Sequence, residues 1–266
     1  MTTSNVNFLA LTLNAQAERE AITFTKEQLA EHAKVNKVTI RAAAIQVDLA
    51  NALVERMNNQ LINGKTQNIN SSMFTDMNTI CSVHFLQSIE ILLKEKFDLS
   101  NIAAMLKVTD HKHDDFMQVY AITKVLNLLV CIARKDRKRM NAYTLAILVN
   151  LLKFGMITKK EAESAVCLDL HRSAARNKQR EIINVYDSAS STASTQISSS
   201  RMSLKALNIC NIRKKGVNDE MTFNEQGQYL NNVLFILQMN ENTSAELERV
   251  AAEIEQEQQA TKKAKA

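Results

Sequence analysis

The chain contains no proline and only four glycines among its 266 residues. These two residues most strongly end helices and form tight turns, and a fold with many strands needs such a turn after almost every strand. Their scarcity leaves long stretches that are compatible with helix and with little else. The sequence therefore predicts a mainly α protein, large enough to bury a substantial core.

Residues 25–47 have the spacing of two helices joined by a short turn. Thr25 with Gln28 forms a capping box, a common helix start, and Asn36 is expected to cap the second helix. The second helix is expected to turn three residues inward, namely Ile40, Ala44 and Val47. It is expected to turn four residues outward, namely Lys37, Val38, Arg41 and Ala42.

The pattern L-A-x-x-A-x-V-N-x-x-T-I-R in this segment resembles the helix-turn-helix of bacterial and phage DNA-binding proteins. Ala30 matches the small residue between the helices, Val35 the apolar turn residue and Ile40 the buried residue of the second helix. The resemblance implies that Lys37, Val38, Arg41 and Ala42 meet base edges. Lys34 stands where the family usually has glycine, and helix-compatible sequence continues to Ile62. A plain helical hairpin fits the same core spacing.

Positive charge is concentrated in part of the chain. The net charge is +5, and residues 241–266 carry −2, so residues 1–240 carry about +7. A basic surface attracts polyanions. The residues expected to contact DNA in this region are Arg134, Lys135, Arg137, Lys138, Arg139, Arg172, Arg176, Lys178 and Arg180. The alternative for the first five is a solvated helix end, where the helix dipole already favours cations.

The sequence predicts no enzyme, metal site or cofactor. It lacks a glycine-rich phosphate loop, a G-x-S-x-G elbow and an H-E-x-x-H motif, and its four cysteines show no zinc spacing. No leader and no apolar run near the length of a bilayer is visible, which predicts a cytoplasmic protein without membrane contact. The absence of tryptophan and the small number of aromatic residues argue against a surface of many base-stacking rings.

Composition divides the chain into five expected segments. They are an N-terminal helix-turn-helix-like unit (1–64), a helical core (65–186), a Ser/Thr-rich linker or loop (187–203), a small hairpin and helix unit (204–240), and a polar helix with a basic tail (241–266). The linker is expected because its composition buries too little apolar area to offset the entropy of ordering it. The predicted fold is thus a helical bundle with a helix-turn-helix-like unit and a small C-terminal α+β extension.

Lys262, Lys263 and Lys265 form a tail with no apolar anchor, which leaves it free to contact a partner. This tail and the proline-free, mildly basic composition are similar to phage-encoded single-stranded-DNA-binding proteins that also act in transcription. We therefore expect a non-enzymatic DNA-binding protein of phage or mobile-element type in transcription regulation or replication, with the tail contacting that machinery. The alternatives are a single-stranded-DNA-binding protein and a helical structural or partner-binding protein without nucleic acid.

Overall fold

The computed structural model describes residues 20–62, 71–110, 113, 117–176, 180, 182–215 and 218–238. This part of the chain is mainly helical and contains one small antiparallel sheet of three strands. The predicted fold class, mainly α with a small α+β part, is confirmed. The expected polar helix and tail at 241–266 lie outside the described residues.

The chain divides into two compact units, Met1–Arg134 and Lys135–Ala266, which we call the N-terminal unit and the C-terminal unit. This boundary falls inside the helical core expected at 65–186. The helices before it pack among themselves, whereas those after it pack with one another and with the sheet. The break follows helix packing, which composition does not show.

The N-terminal unit has one central helix. Its helices are α1 Lys26–Val35, α2 Ile40–Ile62, α3 Ser71–Cys81, α4 Val83–Lys94, α5 Ser100–Lys107 and α6 Val119–Arg134. The central helix is α2, which packs against α1, α3, α4 and α5, while α6 packs against α3 and α4. The apolar spacing predicts a single helix over 73–94, but the structure has two, α3 and α4. They are separate because Ser82 has an extended backbone and its side chain caps α4 by accepting from the Phe85 amide at 3.1 Å.

The C-terminal unit arranges its helices around the small sheet. Its elements are α7 Ala142–Phe154, β1 Met156–Thr158, α8 Lys159–Ser164, α9 Leu168–Arg176, α10 Ser190–Ala206, β2 Cys210–Lys215, β3 Asn218–Phe223 and α11 Leu230–Gln238. The strand order is β1-β3-β2, with Met221 paired to Ile157 on one side and to Ile212 on the other. The described residues of the range 204–240 thus contain the paired strands β2 and β3 and the helix α11.

The linker predicted at 187–203 is wrong, because most of this segment belongs to α10. Its serines are a packing surface: Ser199, Ser200 and Ser203 are fully buried, and the Thr144 hydroxyl donates to the Ser200 hydroxyl at 3.2 Å. Small side chains let α10 approach α7 closely, and Ala193, Ile197 and Leu204 supply the apolar contacts. Helical periodicity outweighed a composition that is typical of loops.

Candidate nucleic-acid interface

The turn between α1 and α2 is well defined by its hydrogen bonds. The capping box at Thr25 is present. The α1 helix ends in a Schellman motif, with the Val38 amide donating to the Ala33 carbonyl at 3.0 Å and the Lys37 amide to the Lys34 carbonyl at 3.1 Å. The residue with left-handed backbone is Lys37, with φ 55°. The sequence predicts that Asn36 caps the second helix. In the structure Asn36 ends the first helix instead.

The start of α2 is held by a residue of another helix. The Thr39 amide and hydroxyl donate to the Glu90 carboxylate of α4 at 2.9 and 2.7 Å, and the Thr39 hydroxyl accepts from the Ala42 amide at 3.2 Å. This anchor fixes which side of α2 faces the core. Ala42 is 0% exposed and cannot meet a base, while Ile40, expected inside, is 54% exposed.

Two of the four helix-turn-helix candidates remain accessible. Lys37 and Arg41 are exposed, Val38 is half-buried and Ala42 is buried. Further along α2, Leu49, Leu53 and Met57 are buried against the core, while Asp48 and Glu55 are exposed and acidic. The exposed positive charge of α2 is therefore confined to its first turn, at Arg41.

The N-terminal unit has no excess of positive charge. Residues 1–134 contain thirteen Lys or Arg and thirteen Asp or Glu. Near the accessible turn, hydrogen bonds from Ser100 and, less strongly, the charge of Arg41 lower the pKa of Asp98. The positive charge of Arg41 thus faces a carboxylate. Arg134 is half-buried, with its guanidinium donating to the His84 carbonyl at 3.2 Å and the Gln87 side chain at 3.1 Å, so it joins α6 to α4.

The C-terminal unit carries the positive charge of the protein. The whole unit, residues 135–266, contains twenty Lys or Arg against fifteen Asp or Glu, a net of +5. Within it, residues 135–240 contain sixteen against nine, a net of +7. This equals the whole excess of residues 1–240, since the N-terminal unit is neutral. Long-range attraction of a polyanion therefore acts on the C-terminal unit.

An extended segment lies along α7 and completes its surface. We call residues 182–189 the strap. Asn150, buried in the middle of α7, accepts from the Ile183 amide at 2.9 Å and donates to the Ile183 carbonyl at 3.0 Å. On the other side of the strap, the Val185 amide donates to the Ala165 carbonyl at 2.7 Å and the Ser188 amide to the Val166 carbonyl at 2.9 Å. The capping box of Thr158 with Glu161 and the helix-compatible sequence after it predict a single helix over Thr158–Ile183. The structure instead has α8 and α9 in this range, and the strap begins at Ile182.

Three aromatic rings and two cations lie at the two ends of α7. Tyr186 of the strap meets Tyr143 edge to face, with ring centroids 5.4 Å apart, and Tyr186 is 42% exposed. At the other end of α7, Arg180 lies 4.4 Å and Lys153 5.2 Å from the centroid of the Phe154 ring. We call these five residues the α7 surface. Tyr143 and Phe154 are three helical turns apart, so they share a face of α7 and are separated by roughly 16 Å.

Arg180 has a structural role beside its contact with the ring. Its guanidinium pairs with Glu161 at 2.8 Å and donates to the Met156 carbonyl at 2.8 Å. Glu161 also completes the capping box with Thr158 at the start of α8. The predicted DNA contact at Arg180 is thus a residue held in place by the protein, and its fixed guanidinium keeps positive charge beside Phe154.

The dense basic run forms a turn just before α7. We call Lys135–Arg139 the basic turn. Asp136 stabilises it by accepting from the Lys138 amide at 3.0 Å and pairing with Arg139 at 3.1 Å. Lys135, Lys138 and Arg139 are exposed and Arg137 is half-buried. Arg139 and Tyr143 are four positions apart in the chain, so the end of the basic turn lies within roughly 14 Å of Tyr143.

The remaining candidates are placed less fully. Arg172 is exposed on α9, and Arg176 is the last residue of that helix. Lys178, Lys262, Lys263 and Lys265 lie outside the described residues. Lys153 and the three rings of the α7 surface were not among the DNA-contacting residues predicted from the sequence. Only Phe154 next to Lys153 gave a local signal, since Tyr143 and Tyr186 are far apart in sequence.

Three further observations bear on function. Comparison with known proteins gives no match to a family model, to a curated protein or to a solved structure. Among the described residues, no His, Cys, Asp and Glu side chains are grouped in threes or more to hold a metal ion. None of the helices in the described ranges is both long and apolar enough to cross a bilayer.

Proposed function

We propose that this protein binds single-stranded DNA through its C-terminal unit. The observation that carries the proposal is the α7 surface, where Tyr143 and Tyr186 form a ring pair at one end and Phe154 lies beside Lys153 and Arg180 at the other. This surface belongs to the unit that holds the excess positive charge. Aromatic rings stack on unpaired bases of any sequence, and cations between them neutralise the backbone. The basic turn extends the surface at the Tyr143 end.

The chemistry of this surface favours a single strand over a duplex. Bases in a duplex are stacked on each other and present only their edges in the grooves. The exposed Tyr186 ring and the half-buried Tyr143 and Phe154 rings would therefore find no base face to stack on. An unpaired strand offers both base faces and phosphates. Such strands form where a duplex is opened in replication or transcription, which is the setting we propose, with Lys262, Lys263 and Lys265 as a contact for that machinery.

Replacing Tyr186 by alanine tests the proposal. We expect a loss of roughly 1–3 kcal/mol in binding free energy, or about five- to 150-fold in Kd, because one stacking ring is removed. The matched control is Tyr120→Ala, since Tyr120 is equally exposed, at 42%, but lies in the neutral N-terminal unit. Fluorescence anisotropy of a labelled oligothymidine at one fixed salt concentration gives both Kd values. Equal Kd values for the two variants would contradict the proposal.

A second candidate function is duplex contact by the first turn of α2, favoured by the exposure of Lys37 and Arg41. If it operates, selection from a random duplex library should enrich a sequence motif with the wild-type protein. Arg41→Ala should lose that enrichment, because a good base contact contributes roughly 1–3 kcal/mol of discrimination. The same variant should bind oligothymidine like the wild type. A library that returns no motif with the wild-type protein would remove this candidate.

A further inference from the structure

The two edges of the small sheet differ in how their backbone groups are bound. β1 forms one edge, and side chains occupy the groups that it turns away from β3. The Thr158 amide donates to the Glu161 carboxylate at 2.7 Å. The Met156 carbonyl accepts from the Arg180 guanidinium at 2.8 Å. The β1 edge is therefore closed to a further strand.

The other edge of the sheet, formed by β2, is open. Pairing with β3 continues past the strand, where the Ile209 carbonyl accepts from the Asn224 amide at 2.9 Å. Residues of an antiparallel pair face the partner strand and face away from it in turn. In steps of two from Ile209, the backbone of Arg213 faces β3, so the backbone groups of Ile212 and Lys214 face away. No described residue donates to or accepts from these outward amides and carbonyls.

The β2 edge carries positive charge that the described residues leave unpaired. Arg213 and Lys214 are exposed, and neither forms an ion pair with a described residue. Asp219 of β3 lies directly opposite Lys214, but its carboxylate pairs with Arg201 of α10. The charge of Lys214 is therefore available to a ligand, and the edge attracts acidic groups.

The same edge has an apolar side. Ile212 lies opposite Met221, which is fully buried, so the Ile212 side chain is on the core side of the sheet. Ile212 itself is only half-buried. An apolar side chain placed beside it, beyond the edge of the sheet, would extend the core there.

We propose that β2 binds an extended, acidic segment of a partner protein, which joins the sheet as an added antiparallel strand. This inference is independent of the proposed nucleic-acid binding. Hydrogen bonds to the backbone of Ile212 and Lys214 supply affinity, and alternate side chains supply specificity. Apolar side chains of the added strand pack beside Ile212, and acidic side chains on the solvent side meet Arg213.

The charge of the edge favours this occupant over a second copy of the chain. Antiparallel pairing of β2 with itself would bring the same cations together, and like charges directly opposite destabilise a strand pair. Nucleic acid shares the acidic charge but has no ladder of amides and carbonyls to pair with β2. Charge and backbone together therefore select an acidic strand.

The probe for the test is a short labelled peptide in which valine and glutamate alternate, and fluorescence anisotropy with the full-length protein gives its Kd. Valines pack on the Ile212 side, and residues directly opposite in an antiparallel pair share a face, so the valine amides point to β2. We expect N-methylation of the valines to abolish binding and N-methylation of as many glutamates to leave Kd unchanged. Equal Kd values for the two methylated peptides overturn the inference, as does equal binding of a valine–lysine peptide.

Lys214→Pro tests the contact from the side of the protein. The Lys214 amide faces away from β3, so proline removes a donor to the added strand and no hydrogen bond within the sheet. Lys214→Gln is the matched control, since it removes the same charge and keeps the amide. We expect the valine–glutamate peptide to bind Lys214→Pro about two- to ten-fold more weakly than Lys214→Gln. Equal Kd values overturn the inference, and the methylated peptides decide alone if the proline variant does not fold.

Sedimentation velocity of the protein without peptide tests the competing occupant. We expect the wild type and Lys214→Pro to have the same mass in solution. A wild-type dimer that Lys214→Pro dissociates would show that the edge pairs with a second copy, and would overturn the inference. None of these measurements depends on whether oligothymidine binds, so the proposed function can fail separately.

Discussion

Replacing Arg56 by alanine is expected to lower the free energy of unfolding by roughly 3–5 kcal/mol, because it removes one partner from a buried charged cluster. Arg56 lies on the central helix α2 and is 1% exposed. Its guanidinium donates to the carbonyls of Leu106, Val108 and Met117, at 3.0, 2.7 and 2.6 Å. Leu106 lies in the last turn of α5, Val108 follows α5, and Met117 precedes α6. The Arg56 side chain therefore connects α2 to the end of α5 and to the start of α6.

Urea unfolding of three variants measures the effect. Arg41→Ala is the control, since an exposed arginine on the same helix should change stability by no more than about 0.5 kcal/mol. Arg56→Lys keeps the charge but loses the planar fork that reaches three carbonyls, so we expect it to fall between the other two. A loss for Arg56→Ala no larger than that of Arg41→Ala would show that these hydrogen bonds contribute little net stability.

The stability of the protein is also expected to fall as pH rises from about 4 to 7, because of Asp76. This carboxyl is 1% exposed on α3, and burial raises its pKa from 3.8 to about 7, although the nearby Thr123 hydroxyl and the charge of Arg56 act in the opposite direction. In this window the folded protein holds the proton and the unfolded chain has lost it. Raising the pH therefore favours unfolding, by up to about 4 kcal/mol once the pH passes the folded pKa.

Asp76→Asn tests this pH dependence, because the amide has a similar shape and does not titrate. We expect its free energy of unfolding to vary less between pH 5 and pH 8 than that of the wild type, with the difference growing as pH rises. Asp48→Asn, an exposed aspartate on α2, should follow the wild type. Parallel pH curves for the wild type and Asp76→Asn would show that the buried carboxyl is already ionised at low pH.

Local signals in the sequence predict some helix ends and not others. The capping boxes of Thr25 with Gln28 and Thr158 with Glu161, and a helix stop at Gly155, depend on neighbouring residues, and the structure contains all three. The cap expected at Asn36 is absent, because Thr39 begins α2. The phase of α2 was predicted wrongly because it depends on Glu90, fifty-one residues away from Thr39. The spacing of apolar residues in α2 is compatible with either of two adjacent faces toward the core. It does not show which face the hydrogen bonds to Glu90 select.

The candidate site was only partly predictable for the same reason. The basic turn is contiguous, so its charge was visible in the sequence. The α7 surface is assembled from two segments, 143–154 and 180–186, and its ring pair depends on the hydrogen bonds that Asn150, Ala165 and Val166 make to the strap. A small number of aromatic residues does not show whether any of them lie close together. Composition gives the number of rings and not their positions.

The hydrogen bonds between Asn150 and Ile183 restrict which changes of sequence this chain can accept. The two hydrogen bonds set the alignment of the strap with α7 at Ile183, and Arg180, which binds Glu161 and the Met156 carbonyl, is fixed just before the strap. A shift of one residue between Ile183 and Tyr186 would move the ring away from Tyr143. Descendants of this sequence should therefore retain Asn150 and the spacing from Ile183 to Tyr186.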